Sequence, residues 1–280
     1  MTLISPLAPT VADSRRWYRG LSHYQWLVLI IASAGWVFDV YEGQIFNTTR
    51  HDLLGELIAG DSAAERQAAM QRVGDTFLGI FLAGGMVGGV LFGAVGDRWG
   101  RKPALTLTIL MYSVFSGLTY FATSLWQVGV LRFLVSMGTG GEWAVGAALV
   151  ADVFPARARA QAASLFQASS TLGTWMAGLV ALAIGSQWRY GYLVGVLPAL
   201  LILAVRARIE EPAAWKQAEA LTEEKKGSLI ELFGDPRWRG RTVGGVLLAA
   251  VGLATFWGLT VAGQDLAQFV RRLDGKRHFC

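Results

Sequence analysis

The sequence predicts an all-α integral membrane protein, and its composition and apolar runs carry that prediction. The mean hydropathy is +0.41, and 53% of the residues are hydrophobic. Only 16% of the residues are charged, whereas soluble domains contain about 25%. Several apolar runs reach about 20 residues, the length that crosses a bilayer as a helix. A soluble fold would need a very large core to bury this much apolar surface, so a membrane bundle is the expected class.

The basic residues fit a membrane protein better than a nucleic-acid-binding protein. The net charge of +5 would by itself allow contact with nucleic acid. The bases, however, cluster in polar segments between the apolar runs, where they orient helices and contact anionic lipid. We therefore predict membrane lipid, and no nucleic acid, as a partner. Cys280 is the single cysteine, which excludes an intrachain disulfide.

Seven transmembrane helices are expected after a cytoplasmic lead at residues 1–23. Arginines in the lead hold it inside. The first apolar run is too long for the apolar region of a signal peptide, so it is expected to remain as a helix. Six helices form a bundle over residues 24–205, with expected ranges 24–46, 76–96, 104–122, 126–151, 162–186 and 190–205. Pro198 is expected to kink the sixth helix.

The segments after the bundle are a basic cytoplasmic loop at 206–242, a seventh helix at 243–263 and a polar tail at 264–280. The seventh helix would carry the tail to the outside, although the tail contains four basic residues. This disagrees with the positive-inside rule. Three explanations stay open: the tail is atypical, the seventh helix is not a stable span by itself, or the chain is the front part of a longer protein.

A polar stretch between the second and third helices, Gly93–Lys102, fixes the predicted orientation. Its three bases lie in a tight turn between two apolar runs, which places the turn in the cytoplasm. Topology requires only the bases, yet the stretch also holds glycines and an acid, so we expect a second role for it. Its candidate functional residues are Gly93, Asp97, Arg98, Gly100, Arg101 and Lys102.

Glycines recur every fourth residue along the second helix. One row contains Gly85, Gly89 and Gly93, and a neighbouring row contains Gly84 and Gly88. Small residues at this spacing let two helix backbones approach closely in a membrane. We therefore predict a packing face on this helix.

Four charged residues fall inside apolar helices, where a charge is costly and is therefore a functional candidate. They are Asp39 and Glu42 in the first helix and Arg132 and Glu142 in the fourth. At about 1.5 Å per residue, Asp39 and Arg132 lie at similar depths if the first helix ends near Phe46. We therefore predict that Asp39 faces Arg132, and that protonation of Asp39 or a substrate carboxylate weakens the pair. A static structural pair is the alternative.

The remaining candidates lie near these two residues. An apolar environment favours the neutral form of a carboxyl group, which suits Glu142 as a proton carrier. The alternative is a structural carboxylate, in which Glu142 accepts a hydrogen bond from a serine or threonine of a neighbouring helix. Glu42 is expected nearer the surface, where water could solvate it, and ranks lower. Trp36 and Trp143 are candidates for lining a cavity, although aromatic residues near helix ends more often anchor at the interface.

No cofactor, metal or enzymatic activity is predicted. The sequence has no cluster of histidine and cysteine, no phosphate-binding loop and no nucleophile paired with a base. Its three histidines are scattered through polar segments.

The stretch Gly93–Lys102 resembles the loop between helices 2 and 3 of the major facilitator superfamily. The resemblance lies in its glycine, Asp-Arg and Gly-Arg-Lys positions. Arg132 together with residues 138–143 resembles helix 4 of its proton symporters for sialic acid, aromatic acids and other small organic acids. Asp39 resembles the acidic first-helix motif of that branch. The residues that resemble the ends of helix 6 in sugar and organic-acid porters are Trp188, Arg189, Pro198, Glu211, Pro212 and Trp215.

The resemblance covers about residues 20–263 and implies the six-helix N-terminal half of a major facilitator fold plus a seventh helix. It implies proton-coupled symport of a small organic acid or sugar acid, with the substrate and protons as partners. It places the protein in the bacterial inner membrane with a cytoplasmic N-terminus. It also implies that the Gly93–Lys102 loop gates transport, with Asp152 as a partner for Arg98 or Arg101.

Two departures from the family pattern bear on activity. Family members have two six-helix halves, whereas this sequence resembles the first half and one further helix. The chain is therefore expected either to be inactive as a truncated product, to be a non-transporting membrane fragment or interaction module, or to complete its cavity with a C-terminal half or a second copy. The fifth helix lacks the Gly-Pro element of drug antiporters, which favours symport or uniport.

Overall fold

The computed structural model describes residues 17–59, 62–212, 215, 229–252, 255, 259 and 263. Among these residues the regular structure is entirely helical, so the all-α prediction is confirmed. The chain divides into two compact units, Met1–Gly227 and Ser228–Cys280. The helices of the first unit are α1 (His23–Leu57), α2 (Ala63–Trp99), α3 (Arg101–Thr119), α4 (Leu125–Val153), α5 (Ala156–Ala168), α6 (Ser170–Ile184), α7 (Arg189–Val194) and α8 (Ala199–Arg208). The second unit contains α9 (Leu229–Gly234) and a helical stretch at 236–252.

The helix boundaries differ from the expected spans in informative ways. Three of the described helices are long and apolar enough to cross a membrane: α1, α2 and α4. The fifth expected helix forms as α5 and α6, which meet at Ser169. The sixth forms as α7 and α8 and is interrupted at 195–198, which confirms the expected break at Pro198.

Several predicted segments lie partly or wholly outside the described residues. Residues 1–16 of the cytoplasmic lead and the polar tail at 264–280 are outside. Residues 213–228 of the basic loop, except residue 215, are outside as well. The seventh helix is described continuously only to residue 252.

Local sequence sets where the helices begin. Ser22 precedes α1, and its Oγ accepts the N–H of Gln25 at 3.2 Å, while Gln25 Oε1 accepts the N–H of Ser22 at 2.9 Å. This reciprocal pair satisfies two N–H groups that a helix N-terminus leaves free. Between α2 and α3 stands a single residue, Gly100, with a φ of 108°. Such a φ is easily adopted only by glycine, so the sharp turn depends on this residue.

Helix α4 packs against α1, α2 and α3, and its contact with α2 is made between backbones. A Cβ atom on Gly88 would overlap the main chain of Met137, and one on Gly140 would overlap the main chain of Gly85. The predicted packing face of α2 is therefore confirmed at Gly85 and Gly88. Gly93 differs, because no described atom lies within 4 Å of the position of its Cβ.

A polar contact joins the C-terminal end of α1 to the start of α7. Arg189 Nη1 lies 2.7 Å from Glu56 Oε2, and Trp188 Nε1 donates to the same oxygen at 2.8 Å. Arg189 Nη2 also donates to the carbonyl of Ala122 at 3.2 Å. This end of the bundle is thus held by groups from three separate parts of the chain, two of which contribute side chains and one a main-chain carbonyl.

Gly88→Ala is expected to lower the free energy of unfolding by about 1–3 kcal/mol, because the new methyl group must push α2 and α4 apart. Gly79→Ala is the matched control on the same helix, since no described atom lies within 4 Å of its Cβ position. The control is expected to be neutral or slightly stabilising because alanine favours helix. Thermal unfolding of the detergent-solubilised variants measures both, and equal behaviour would contradict the close contact.

Candidate functional site

Four ionisable side chains are buried where α1 meets α4. Asp39 and Glu42 lie on α1, and Arg132 and Glu142 lie on α4. Their exposed fractions are 4%, 0%, 2% and 3%. Burial of all four agrees with the sequence reasoning except at Glu42, where the expected contact with water is wrong. Helix α1 continues to Leu57, so Glu42 lies well inside the helix instead of near its end.

Arg132 is enclosed by α1 and α2. Its Nη1 donates to the main-chain oxygen of Glu42 at 2.9 Å. Its Cζ lies 4.5 Å from the ring centre of Phe46 and 4.2 Å from that of Phe81. Rings at these distances stabilise a guanidinium through cation–π attraction. In this conformation Arg132 is therefore held by protein groups and is closed to a substrate.

The Glu42 carboxylate lies in the same pocket as Arg132. Ser116 Oγ donates to Glu42 Oε1 at 2.7 Å and lies 3.1 Å from the carbonyl oxygen of Tyr192. A Cβ on Gly195 would overlap both the Glu42 carboxylate and the Ser116 side chain. Glu42 Oε2 and Arg132 Nε have no hydrogen-bond partner among the described residues, so the contact between these two residues is the one through the main-chain oxygen of Glu42.

Asp39 faces a second acid instead of a base. No described residue donates a hydrogen bond to either carboxylate oxygen of Asp39, and the Glu142 carboxylate packs against Gly35, one turn before Asp39 on α1. The predicted pairing of Asp39 with Arg132 is therefore wrong. The error comes from the depth estimate, which assumed that the first helix ends near Phe46. Arg132 lies beside Glu42, about one helical turn further along α1.

Tyr112 of α3 completes this acidic group, and sequence reasoning missed it. Its side chain is fully buried, and its hydroxyl, like both carboxylate oxygens of Asp39 and Oε2 of Glu142, has no hydrogen-bond partner among the described residues. It comes close because α3 and α4 touch at Gly138, where a Cβ would lie 2.9 Å from the main-chain nitrogen of Tyr112. A tyrosine in an apolar helix carries little signal by itself. Gly138 of α4 is the one feature of the sequence that indicates a close approach of another helix at this point.

The two predicted cavity tryptophans lie next to each other on neighbouring helices. The ring centres of Trp36 and Trp143 are 6.1 Å apart, and Trp36 stacks on Phe166 at 6.0 Å. Trp143 is 40% exposed, and its Nε1 donates to Gln167 Oε1 at 3.2 Å. The two tryptophans thus form part of an aromatic surface on α1, α4 and α5. Trp143 follows the buried Glu142 in α4, and Trp36 follows Gly35, against which the Glu142 carboxylate packs.

The Gly93–Lys102 stretch takes part in a charge network between helix ends. Arg101 Nη1 lies 2.7 Å from Asp97 Oδ1, and Arg101 Nε lies 3.2 Å from Asp152 Oδ2. The expected contact of Asp152 is confirmed for Arg101, while Arg98 is exposed. The network joins the end of α2, the start of α3 and the end of α4.

Glu211 extends this network and has no counterpart among the predicted site residues. Its two carboxylate oxygens accept the N–H groups of Arg101 at 2.8 Å and Lys102 at 2.9 Å. An acid at a helix N-terminus satisfies free N–H groups and interacts favourably with the helix dipole. A Cβ at Gly100 would overlap this carboxylate, and Trp215 Nε1 donates to the carbonyl of Asp97 at 3.0 Å. The segment after α8 is therefore tied to the turn.

Glu211→Ala is expected to lower the free energy of unfolding by about 0.5–2 kcal/mol, the usual effect of losing a helix cap. Glu210→Ala is the matched control, because Glu210 contributes only its main-chain groups to Tyr24. The unfolding midpoint in detergent is the measurement. Equal shifts in the two variants would show that the Glu211 carboxylate does not stabilise the start of α3.

A groove of about 520 Å³ on the surface between α2 and α4 lies apart from these residues. It is lined mainly by apolar side chains, among them Phe77, Trp126 and Phe133. None of the predicted site residues borders it. Within the described part of the chain, no group of three or more histidine, cysteine, aspartate or glutamate residues could hold a metal ion.

Comparison with known proteins places this geometry in a family context. The profile of the Major Facilitator Superfamily matches residues 59–274. A putative metabolite transport protein of Haemophilus influenzae is 30% identical over 86% of this chain and 59% of its own length. A probable 4-methylmuconolactone transporter of Cupriavidus pinatubonensis is 29% identical over 83% of this chain and 53% of its own length.

The fold also matches a solved structure. The proton:xylose symporter XylE bound to 6-bromo-6-deoxy-D-glucose superimposes with a TM-score of 0.64 over 72% of this chain and 48% of that chain. At 19% identity this likeness concerns the fold alone. The chain spans about half to three fifths of the length of the proteins that it matches.

Proposed function

The chain belongs to the Major Facilitator Superfamily, and we propose that it takes part in secondary active transport of a small organic acid or sugar acid, coupled to protons. The relatives named above are transporters, which supports transport over enzymatic activity. Sites of this kind lie near the bilayer midplane, between two repeats that rock against each other. In this proposal the described bundle supplies one side of such a site.

The buried acidic group is the observation that carries the proton-coupled part of the proposal. Asp39 and Glu142 lie inside the bundle, and no described base is paired with them. A charge at bilayer depth is costly, so an acid kept there in this way suits reversible protonation. The aromatic surface of Trp36 and Trp143 adjoins the acidic group and is the candidate substrate surface. Glu42 and Arg132 then hold α1 against α4 beside it.

The charge network around Arg101 is proposed to control the opening of one face. Asp97, Asp152 and Glu211 all converge on the start of α3. Contacts between the ends of separate helices can break and form again as a bundle tilts. The network would thus stabilise one of the two conformations that alternate during transport. The topological prediction places it on the cytoplasmic side.

Uptake into proteoliposomes tests the proposed function. The purified 280-residue chain is reconstituted by itself, and in parallel together with the C-terminal half of the 4-methylmuconolactone relative. Labelled 4-methylmuconolactone and sialic acid serve as probes. We expect accumulation that requires an inward proton gradient and is lost when an ionophore collapses that gradient.

The two arms of the test separate the possible forms of activity. Accumulation by the chain alone would support a cavity completed by a second copy. Accumulation only with the added half would support a site shared with a C-terminal half. Absence of uptake in both arms would overturn the proposed transport, whereas uptake that needs no proton gradient would overturn the proton coupling alone.

A further inference from the structure

The packing around Glu142 brings two acids together without a base between them. Gly35 leaves a gap on α1 that the Glu142 carboxylate fills, because a Cβ on Gly35 would overlap that carboxylate. Asp39 lies one turn further along the same helix. On the other side, the close approach of α3 to α4 at Gly138 places Tyr112 beside Glu142. Two glycines therefore bring Asp39, Glu142 and Tyr112 into one buried region. In this region both Asp39 oxygens, Glu142 Oε2 and the Tyr112 hydroxyl have no hydrogen-bond partner among the described residues.

Ionisable side chains on α1, α3 and α4 lie around this acidic group. On α1 the neighbouring ionisable group is Glu42, another acid. On α4 the base Arg132 donates to the main-chain oxygen of Glu42 and is enclosed by two phenyl rings. On α3 the neighbour is the phenol of Tyr112. The guanidinium of Arg132 thus contacts the main chain of Glu42 and two rings, and it makes no ion pair with Asp39 or Glu142 among the described residues.

Two adjacent carboxylates in an apolar interior cannot both be ionised without a large cost. One proton between them removes the repulsion and creates an O–H···O⁻ hydrogen bond, which is among the strong hydrogen bonds in proteins. A phenol can donate a second hydrogen bond to the remaining charge. The three side chains together supply the donors and acceptors for this arrangement.

We propose that Asp39, Glu142 and Tyr112 form one proton-binding site that holds a single proton shared by the two carboxyl groups. Tyr112 is a positioning residue, whose hydroxyl orients the shared proton and stabilises the remaining negative charge. Glu42 and Arg132 form a separate pair that does not exchange this proton. The role of the shared proton in transport rests on the proposed function, whereas its presence in the folded chain does not.

Infrared spectroscopy of the purified chain in lipid at neutral pH tests the shared proton. A protonated carboxyl group gives a C=O band that shifts in D2O. We expect one such band, moved in frequency by either Asp39→Asn or Glu142→Gln and reduced to background in the double variant. Tyr112→Phe should keep the intensity of the band and change its frequency, because only the supporting hydrogen bond is lost.

A control variant and an isotope measurement make the result decisive. Glu42→Gln, the matched change on the neighbouring acid of α1, should leave the band in place. In the unmodified chain, ¹³C labelling of aspartate carboxyls and, separately, of glutamate carboxyls should each shift the same band, which needs no variant to fold. A band that survives in the double variant, or that disappears in Glu42→Gln, would overturn the proposal. Two bands of full intensity, one for each label, would overturn it as well.

This test and the uptake test can fail independently. A chain that shows the shared proton but no proton-dependent uptake would keep the proton site and lose the transport function. A chain that transports with protons but shows no shared band would keep the function and lose this site.

Discussion

Arg132→Met is expected to lower the free energy of unfolding by about 1–3 kcal/mol, because it leaves the buried main-chain oxygen of Glu42 without the donor on Arg132. Methionine can fill part of the space between Phe46 and Phe81, so lost packing contributes less than the lost donor. The Glu42 carboxylate would be left buried at 0% exposure without its neighbouring base. Denaturant unfolding in mixed micelles measures the loss.

Two further variants show whether the loss arises from the Glu42–Arg132 pair. Arg72→Met makes the same change at an exposed position of α2, and there the expected effect is within about 0.5 kcal/mol. The double variant Arg132→Met with Glu42→Gln removes both charges, so it should lose less stability than the two single variants added together. Additive losses would show that Arg132 stabilises the bundle through its rings and main-chain contact alone.

Asp39→Asn is expected to reduce proton-driven accumulation of substrate to background, while exchange of substrate across the membrane continues. Asparagine is similar in shape to a protonated aspartate but cannot release a proton. The variant can therefore resemble the protonated state, in which substrate is exchanged, but cannot complete a cycle that moves a proton. Accumulation under an imposed pH gradient and counterflow without a gradient are the paired measurements, made in whichever reconstituted form transports.

Asp75→Asn is the matched control for this experiment, because it makes the same substitution at an exposed position on α2. It should leave both accumulation and exchange unchanged. Unchanged accumulation by Asp39→Asn would remove Asp39 from the coupling mechanism. Loss of both accumulation and exchange would assign Asp39 to substrate binding or to the conformational change itself.

The local features of the turn could be predicted from the sequence. The order of glycines, bases and an acid within Gly93–Lys102 indicates a tight turn, and Gly100 does take the positive φ that such a turn requires. The contact between Arg101 and Asp152 was also accessible, because the ends of neighbouring helices meet on one side of a bundle. Glu211 was not accessible, since it reaches the turn from 110 residues away and no periodicity reports such a distance.

The buried charges show where sequence reasoning fails and why. Apolar surroundings in the sequence correctly select Asp39, Arg132 and Glu142 as buried. The partners of these residues depend on how each helix is rotated about its axis and how high it stands in the bundle. The rise per residue gives a height only when the helix ends are known, and it gives no rotation. Helix α1 continues past Phe46 to Leu57, so the assumed helix end does not fix the depth of its residues, and Arg132 contacts the main chain of Glu42 instead of Asp39. The glycines at positions 35 and 138 then decide which groups surround Glu142.

The pH inside proteoliposomes, followed with a trapped dye when substrate is added outside, tests proton-coupled transport most directly. No pH gradient is imposed, and the form of the protein that shows uptake is used. We expect substrate entry to acidify the lumen and Asp39→Asn to abolish this acidification. Uptake of substrate with no change in lumen pH would contradict proton-coupled transport.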